Sequence, residues 1–262
     1  MTLSLSAIGL GMRRIGGGLA LLALAAGGQQ FRAHQKISLP LAPEQTADVR
    51  LIFMNALGEN EKNGARIIET AVSFDPDVII FAESSAVEDH LEPLDGLYRF
   101  LSPCAEQECE LLVASKEQPK RFWTLPLNPF WDDRYAVAEL ELPNGKSFFL
   151  AASHLLKPWL SGVAESELEK VIAQYNWFSG PSVVVGDFNA APWSRAMLHL
   201  LSSTEMRTLR NPKGTWPTWA GDYGVPLDHV LVKNGARVVS IAYFGENLGS
   251  NHRGFVADIA LP

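Results

Sequence analysis

The segment Ser182-Val-Val-Val-Gly-Asp-Phe-Asn-Ala-Ala-Pro-Trp-Ser194 joins an apolar run directly to a carboxylate and an amide. Val183–Val185 is a β-branched run that predicts a strand covered on both faces. Gly186 then allows a close backbone approach, and Asp187 and Asn189 share one side-chain direction if the strand pleat continues. An Asx turn after a core strand is the alternative, because Asp and Asn are favoured turn residues. The other strand ends of the chain decide between a turn and a site.

The composition is that of a folded, acidic protein. Of 262 residues, 47% are hydrophobic and 19% are charged, and the net charge at neutral pH is −7. The apolar fraction excludes a disordered chain, and the length permits one large domain or two small ones. This charge gives no general affinity for polyanions, so a nucleic-acid substrate would need a local basic patch or bridging metal ions.

The first 28 residues differ from the rest of the chain. Their only charges are Arg13 and Arg14, which an uncharged stretch follows. That stretch is shorter than the roughly 20 residues that cross a bilayer as a helix. Ala23-Leu24-Ala25 supplies the small residues that a signal peptidase requires. A cleaved export signal, a retained membrane anchor and a plain hydrophobic terminus are therefore the three interpretations.

These interpretations divide the chain and set its expected location. We expect residues 1–28 to be a signal peptide or membrane anchor, residues 29–47 a linker and residues 48–262 the functional domain. Export would place the domain outside the cytoplasm, in the periplasm or secreted. An anchor would associate it with a membrane through residues 8–28. Removal of residues 1–28 takes away two arginines and no acid, so the net charge becomes −9.

The chain has two cysteines, Cys104 and Cys109, with four residues between them. Without a nearby histidine cluster they do not make a zinc site. In an exported protein this spacing fits a small disulfide loop, and otherwise we expect two free thiols.

Strand and helix signals alternate along residues 48–262 without an obvious linker. The expected strands are Arg50–Ala56, Val78–Phe81, Glu110–Ser115, Tyr135–Leu142, Ser147–Ser153, Val183–Val185, Leu227–Val232, Arg237–Phe244 and Phe255–Leu261, and the expected helices are Ala65–Ser73, Val163–Phe178 and Ser194–Leu201. Pro143-Asn144-Gly145 predicts a hairpin between two of the strands. Hairpins mixed with strand-helix alternation predict an α/β sandwich with mixed sheets.

Polar side chains stand where these apolar strands begin or end. They are Asn55, Glu83, His154, Asp187, Asn189, Asp228, Asn251 and His252. Polar residues at the ends of strands that share a sheet meet at one edge of that sheet, so these eight residues predict one site. Carboxylates, amides and histidines without a nucleophilic Ser or Cys motif point to metal-assisted hydrolysis, in which a hard cation takes oxygen ligands.

Six ordered blocks carry a family resemblance. They are Ile52-Phe53-Met54-Asn55, Pro76-Asp77-Val78-Ile79-Ile80-Phe81-Ala82-Glu83, Ala152-Ser153-His154-Leu155, Gly186-Asp187-Phe188-Asn189, Leu227-Asp228-His229-Val230-Leu231 and Ser250-Asn251-His252-Arg253. In this order the chain resembles the endonuclease/exonuclease/phosphatase superfamily, which is DNase-like, over about residues 48–262. The N-terminal segment and the tryptophans make it similar to exported or membrane-anchored bacterial members.

The resemblance implies a fold and a role for each strand-end residue. The fold would be a four-layered α/β/β/α sandwich of two mixed, mostly antiparallel sheets. Mg²⁺ or Mn²⁺ would be held by Glu83 with Asn55 nearby. Asp187 would orient or deprotonate the attacking water, and Asn189 would position the phosphate. His154 and His252 would contact phosphate oxygens and stabilise the charge that develops in the transition state. Asp228 would support the phosphate-binding histidine or a second cation.

Seven further residues lie close to these motifs in sequence. Arg134, Lys157 and Arg253 could clasp a phosphate, although each taken alone is more often a solvated surface charge. The tryptophans could stack on bases or line an apolar slot, with plain core residues as the alternative, and they are Trp159, Trp193, Trp216 and Trp219. His229 is expected to be structural, because the family motif carries the neighbouring Asp228.

One position departs from the family pattern. The last motif usually reads Ser-Asp-His, and here it reads Ser250-Asn251-His252. An amide in place of the expected orienting carboxylate carries no charge to stabilise a protonated His252, so activity would be lowered or differently tuned. Asn251→Asp is then expected to raise turnover.

The expected function is divalent-metal-dependent hydrolysis of phosphoesters, with a phosphodiesterase acting on nucleic acid first. A phospholipid or inositol phosphate is the alternative substrate, and a catalytically weakened domain that binds phosphate-bearing ligands is the alternative class. The partner is therefore a phosphoester substrate, and we expect a monomer.

Overall fold

The computed structural model describes residues 13–103, 110–131, 133–160 and 162–262. Cys104 and Cys109 lie outside the described residues. The helices are α1 (Arg13–Ile37), α2 (Gly64–Ser73), α3 (Val163–Trp177) and α4 (Arg195–Thr204). The strands are β1 (Val49–Asn55), β2 (Val78–Ala82), β3 (Phe100–Leu101), β4 (Leu111–Ser115), β5 (Arg121–Thr124), β6 (Tyr135–Glu141), β7 (Ser147–His154), β8 (Ser182–Asp187), β9 (Asp228–Lys233), β10 (Arg237–Phe244) and β11 (Gly254–Ala260).

The strands form two sheets. One has the order β10-β11-β1-β2-β4-β3 and the other β5-β6-β7-β8-β9. The neighbours β1 and β2 are parallel, as are β7 and β8, and the other pairs are antiparallel. Each parallel pair is joined by a crossover, which for β7 and β8 is helix α3.

The two faces of each sheet bury different neighbours. Phe53 of β1 and Val183 of β8 belong to a core between the sheets. Ile52 packs outward with Ile67 of α2, and Val184 packs outward with residues of α3 and α4. Each fully buried side chain of this kind contributes roughly 1.5–3 kcal/mol relative to exposure. The expected four-layered α/β/β/α sandwich of two mixed, mostly antiparallel sheets is confirmed.

Most expected elements form within two or three residues of their expected bounds. Two short strands, β3 and β5, were not expected from the sequence. β5 is an edge strand in which no residue is buried, so its sequence carries little apolar signal. β3 has only two residues.

Helix α1 continues through the expected boundary at residue 28. It includes Gly16–Gly18, although glycine weakens helices. Near its end His34 is fully buried, and beyond it Leu39 N donates to Thr208 O at 2.8 Å. The expected linker 29–47 thus packs on the domain from His34 onward. Among the described residues, no helix combines the length and the apolar character needed to cross a membrane.

Gly186 is predicted to be essential to the pairing of β7 with β8. A Cβ at this position would overlap the Ser153 carbonyl oxygen of the neighbouring strand. We expect Gly186→Ala to cost about 2–3 kcal/mol and to lower Tm by roughly 4–12 °C in thermal unfolding. Gly180→Ala is the matched control, because its Cβ would lie 3.6 Å from the Phe149 ring. Equal Tm values for the two variants would contradict the prediction.

Candidate active site

Strand register brings the predicted residues to one end of the two sheets. Asn55 ends β1 and Glu83 follows β2, and these strands are parallel. In the other sheet the register places His154 opposite Asp187, and Asp187 opposite Asp228. His252 lies two residues before β11, whose start pairs with the end of β1. Both sheets therefore contribute polar side chains to the same edge, which we call the site end.

Asn55 links the two sheets. Its side-chain nitrogen donates to Glu83 Oε1 at 2.9 Å in its own sheet and to Asp187 Oδ2 at 3.2 Å in the other. Its oxygen accepts from the backbone nitrogen of Leu57 at 3.0 Å, so both ends of the amide are bonded. Glu83 has φ 49° and ψ 52°, a left-handed conformation uncommon for a non-glycine residue. Its other oxygen accepts from Gly58 N at 3.3 Å.

Asp187 is the centre of the group. Its exposed fraction is 1%, and Oδ1 accepts from Asn189 N at 2.8 Å. Its Oδ2 faces two imidazoles, at 3.9 Å from His154 Nε2 and at 3.7 Å from His252 Nε2. Burial and the nearby charge of Asp228 raise the pKa of Asp187, against the opposing effect of the two histidines. A raised pKa favours proton acceptance near neutral pH.

His154 is held by a carboxylate on its far side. Its Nδ1 lies 3.1 Å from Glu110 Oε2, and Nε2 lies 3.8 Å from Glu83 Oε1. Arg134 donates to the other oxygen of Glu110 at 3.4 Å. Burial alone would raise the pKa of Glu110, but His154 and Arg134 outweigh it and lower the pKa. Glu110 is thus ionised and fixes the orientation of the His154 ring.

His252 has a corresponding partner in Asp228. The distance from His252 Nδ1 to Asp228 Oδ2 is 2.9 Å. Burial by itself would lower the pKa of His252, but Asp228, followed by Asp187 and Glu83, raises it to about 9. Thr215 Oγ1 accepts from the backbone nitrogens of Leu227 and Asp228 at 3.0 and 3.2 Å and so fixes the start of β9.

Asn189 ties together the ends of β7 and β8. It has φ 48°, which its short polar side chain tolerates better than most residues. Its side-chain nitrogen donates to Leu155 O at 2.8 Å, one residue after His154. The predicted phosphate-positioning residue therefore lies beside Asp187 with its amide nitrogen already bonded to the backbone.

The group has the chemistry of a cation site. Asp187, Asp228 and His252 each offer a ligand atom, and these atoms lie within 4.8 Å of one another. Asp228 Oδ1 is buried without a hydrogen-bond partner among the described residues. Burial first, and then the charge of Asp228, raises the pKa of Asp187, and a cation beside these two carboxylates would offset that charge. Oxygen donors of this kind fit a divalent metal ion.

The expected orienting role of Asn251 falls instead to Asp228. The Asn251 side chain is exposed, and its backbone oxygen accepts from Thr218 N at 2.9 Å. The His252 ring is paired with a full carboxylate in Asp228, so the amide at position 251 does not deprive it of a charged partner.

The two arginines predicted to contact substrate are both held in ion pairs. Arg253 is buried and pairs with Asp222 and Glu246 at 2.8 and 2.7 Å. Arg134 is also buried, and its guanidinium lies 4.2 Å from the centroid of the Trp131 ring. Both arginines therefore support loops at the site end.

Two of the tryptophans predicted to contact substrate, Trp193 and Trp216, have different environments. Trp193 packs against Phe31 and His34 of α1, with ring centroids 6.3 and 6.2 Å away. Trp216 is 39% exposed in the loop before β9. Trp193 is therefore a contact of the N-terminal helix, and Trp216 stays available at the site end.

His229 is buried, and its Nε2 lies 2.9 Å from Ala190 O. Burial lowers the pKa of His229 to about 4, so the ring is neutral at physiological pH. Its surroundings are those of a structural histidine.

Sequence reasoning missed Glu110 and Thr215. Glu110 directly precedes β4, which is antiparallel to β2, so the strand-end rule that found Glu83 also places Glu110 at the site end. Thr215 lies 12 residues before its backbone partner Leu227. Only the folded loop brings it there, and no sequence signal marks it.

Solved structures share this fold at low identity. Danio rerio TDP2 complexed with single-strand DNA product is 15% identical, with a TM-score of 0.65 over 81% of this chain and 98% of that chain. The human Nocturnin catalytic domain is 18% identical, with a TM-score of 0.65 over 84% and 96%. Sphingomyelinase C from Streptomyces griseocarneus is 15% identical, with a TM-score of 0.61 over 81% and 99%.

No curated protein sequence matches the chain significantly. The profile of the Endonuclease/Exonuclease/phosphatase family matches residues 52–252, which includes every predicted strand-end residue. Together with the sandwich fold and the convergent site, this match shows that the chain belongs to the endonuclease/exonuclease/phosphatase family.

Proposed function

We propose that the protein is a divalent-metal-dependent phosphodiesterase. The family hydrolyses phosphoesters of nucleic acids, lipids and sugar phosphates. The observation that carries the proposal is the position of Asp187 Oδ2 between His154 Nε2 and His252 Nε2, at 3.9 and 3.7 Å. A buried carboxylate between two imidazoles, each backed by its own carboxylate, can hold a water, and the protonated His252 beside it presents positive charge to the phosphate.

Each residue has a distinct part in this chemistry. Asp187, whose pKa is raised, orients the attacking water and accepts its proton. His252, with a pKa of about 9, is protonated at neutral pH and stabilises negative charge on the phosphate oxygens. His154 faces the same space from the other side with its orientation fixed by Glu110. Asn189 keeps the backbone beside both groups in place.

Two sets of residues could hold the metal ion. In the group of Asp187, Asp228 and His252, the Asp228 and His252 donors already bond each other at 2.9 Å. We therefore assign Mg²⁺ or Mn²⁺ to Glu83, whose side chain is 33% exposed and accessible to an ion. Asn55 lies nearby and donates to Glu83 Oε1 at 2.9 Å, so it would hold the carboxylate in place beside the ion. The ion would neutralise the phosphate and offset the carboxylate charge at this edge.

Nucleic acid is the substrate expected first, and phospholipid is the second candidate. One observation favours the second. The arginines nearest the site, Arg134 and Arg253, are buried in ion pairs and do not form a free basic track for a polyanion. Pairing of His252 with Asp228 also removes the reason for expecting a weakened, binding-only domain.

Chelation and replacement of Asp187 are expected to abolish hydrolysis of bis-p-nitrophenyl phosphate. Asp187→Asn removes the proton acceptor and should lower kcat by about 10²–10⁴-fold. Asp75→Asn is the matched control, because Asp75 lies at the opposite end of β2 and is 87% exposed. Turnover that persists in the presence of chelator would overturn the proposal. So would a wild-type rate in an Asp187→Asn variant whose Tm is unchanged.

Glu110→Gln is expected to lower kcat by about 10- to 100-fold with little change in KM, because the amide holds the His154 ring less firmly. Glu139→Gln is the control, since it breaks a comparable pair with Arg121 at 2.7 Å that contacts no histidine. The measurement is steady-state hydrolysis at saturating metal. Equal rates for the two variants would remove Glu110 from the mechanism.

The pH profile tests the pairing of His252. Because the pKa of His252 is raised to about 9, activity should fall as the pH rises through that value. Asp228→Asn removes the raising charge, so the alkaline limb should move to lower pH while kcat drops. Asn251→Asp should leave both the limb and kcat unchanged, because Asn251 is exposed. A gain of activity in Asn251→Asp would restore the orienting role first expected from the sequence.

A further inference from the structure

Exposed aromatic side chains concentrate at the site end of the molecule. Among the described residues, eight aromatic side chains are exposed, and six of them lie in three loops there: Phe130, Trp131, Trp159, Trp216, Trp219 and Tyr223. Trp219 and Tyr223 are 87% and 98% exposed. We call these six residues the aromatic rim. Exposed aromatic side chains grouped at one end of a molecule mark a binding surface more often than singly scattered ones do.

Sheet register fixes where these loops lie. Tyr135 at the start of β6 pairs with Ser153, so the loop that carries Phe130 and Trp131 lies beside His154. Trp159 follows β7 on the same side. The loop that carries Trp216, Trp219 and Tyr223 leads into β9, whose first residue pairs with Asp187. The aromatic rim therefore lies at the same end of the molecule as the candidate active site.

The loop before β6 is held rigidly in place. Asn128 donates to the buried Glu167 of α3 at 2.8 Å and accepts from the backbone nitrogens of Phe130 and Trp131. Lys170 Nζ, also on α3, donates to Leu127 O at 2.8 Å. The aromatic side chains thus remain in water although their own loop is fixed.

The loop before β9 is fixed by contacts with the segment around His252. Thr218 donates to the backbone oxygens of Asn251 and Ser250 at 2.9 Å each. Arg253 donates to Gly214 O at 3.1 Å and to Asp222 at 2.8 Å. Trp219 and Tyr223 project from a loop whose base is bonded to the active site.

Most of the positive charge among these loops is neutralised, which favours a partner with little net charge. Arg253 is paired with Asp222 and Glu246, Arg134 with Glu110, and Lys213 with Asp222 at 2.7 Å. Lys157, beside Trp159, is exposed and has no ion pair among the described residues. Nucleic acid and anionic bilayers are bound through several unpaired lysines and arginines, whereas one ammonium near the rim is compatible with a zwitterionic surface.

The rim has the residue types of a bilayer interface. Tryptophan and tyrosine prefer the boundary between headgroups and acyl chains, because their rings have an apolar body and a polar edge. Exposed aliphatic side chains, Leu160 and Val225, lie in the same loops. Lys157 Nζ lies 5.8 Å from the centroid of the Trp159 ring, so its stem is apolar while its ammonium can reach the headgroups.

We propose that the aromatic rim docks the protein on a bilayer of zwitterionic phospholipid. Docking brings the site end against the headgroup layer, where phosphodiesters are presented to Asp187 and the two histidines. The choice of a headgroup as substrate rests on the proposed phosphodiesterase function. The docking itself is a binding event and does not require turnover.

Flotation of the full-length protein with phosphatidylcholine vesicles in chelator measures docking without hydrolysis. Trp219→Ala/Tyr223→Ala should partition about tenfold more weakly than the wild type, because two interfacial side chains are lost. Both side chains are almost fully exposed, so the fold should keep its Tm. Trp177→Ala is the control, because Trp177 is 53% exposed at the far end of α3 from the site. Equal partition of the double variant and the wild type would overturn the proposal.

Quenching by lipids brominated on their acyl chains removes any contribution of α1, which is present in every variant. Brominated vesicles should quench the tryptophan fluorescence that the wild type has and Trp219→Phe lacks. They should leave unquenched the fluorescence that the wild type has and Trp177→Phe lacks. An unquenched Trp219 would exclude insertion of the rim even if α1 holds the protein on the vesicle.

Binding of a single-stranded phosphorothioate oligonucleotide in chelator tests the other substrate class. A loss of oligonucleotide affinity in Trp219→Ala/Tyr223→Ala, with vesicle partition unchanged, would overturn membrane docking and assign the rim to stacked bases. Hydrolysis of bis-p-nitrophenyl phosphate is scored separately. Failure of that assay would refute the phosphodiesterase and leave the docking result standing.

Discussion

The burial of the Asp187 carboxylate is the constraint on which the site depends. A carboxylate that is 1% exposed is costly unless hydrogen bonds and opposite charge compensate for the lost water. Asn189 N and the Asn55 amide supply the hydrogen bonds, and His252, whose pKa is raised to about 9, supplies the positive charge. These groups come from both sheets, so the carboxylate is stable only when the two sheet ends meet.

The same constraint explains why two imidazole–carboxylate pairs face Asp187. Each imidazole that faces it with Nε2 is bonded through Nδ1 to a second carboxylate, Glu110 for His154 and Asp228 for His252. The outer carboxylates hold the rings in place, and Asp228 leads the charges that keep His252 protonated. Arg134 extends one side of this arrangement to the loop that carries Trp131. The candidate active site is therefore connected through Arg134 to one loop of the aromatic rim.

The strand-end residues were predictable because of the periodicity of strands. Apolar runs such as Val183–Val185 mark buried strands, and a polar residue directly after one must lie at a sheet edge. Glu110 obeys the same rule at the other end of a strand. The partner of His252 was not predictable in this way, because the nearest polar neighbour in sequence, Asn251, lies exposed while Asp228 is brought from another sheet.

The sequence by itself determined an α/β sandwich with mixed sheets and the residues at the strand ends, since these follow from local patterns of apolar and polar residues. The family and its four layers came from the resemblance that the six ordered blocks carry. Tertiary structure alone decided which of those residues pair. In the folded chain Arg134 and Arg253 form ion pairs, and Trp193 packs against α1. Most of the exposed aromatic side chains lie at the site end. The physical reason is that charge pairing and exposure depend on distances between segments far apart in the chain, which sheet register and loop contacts set.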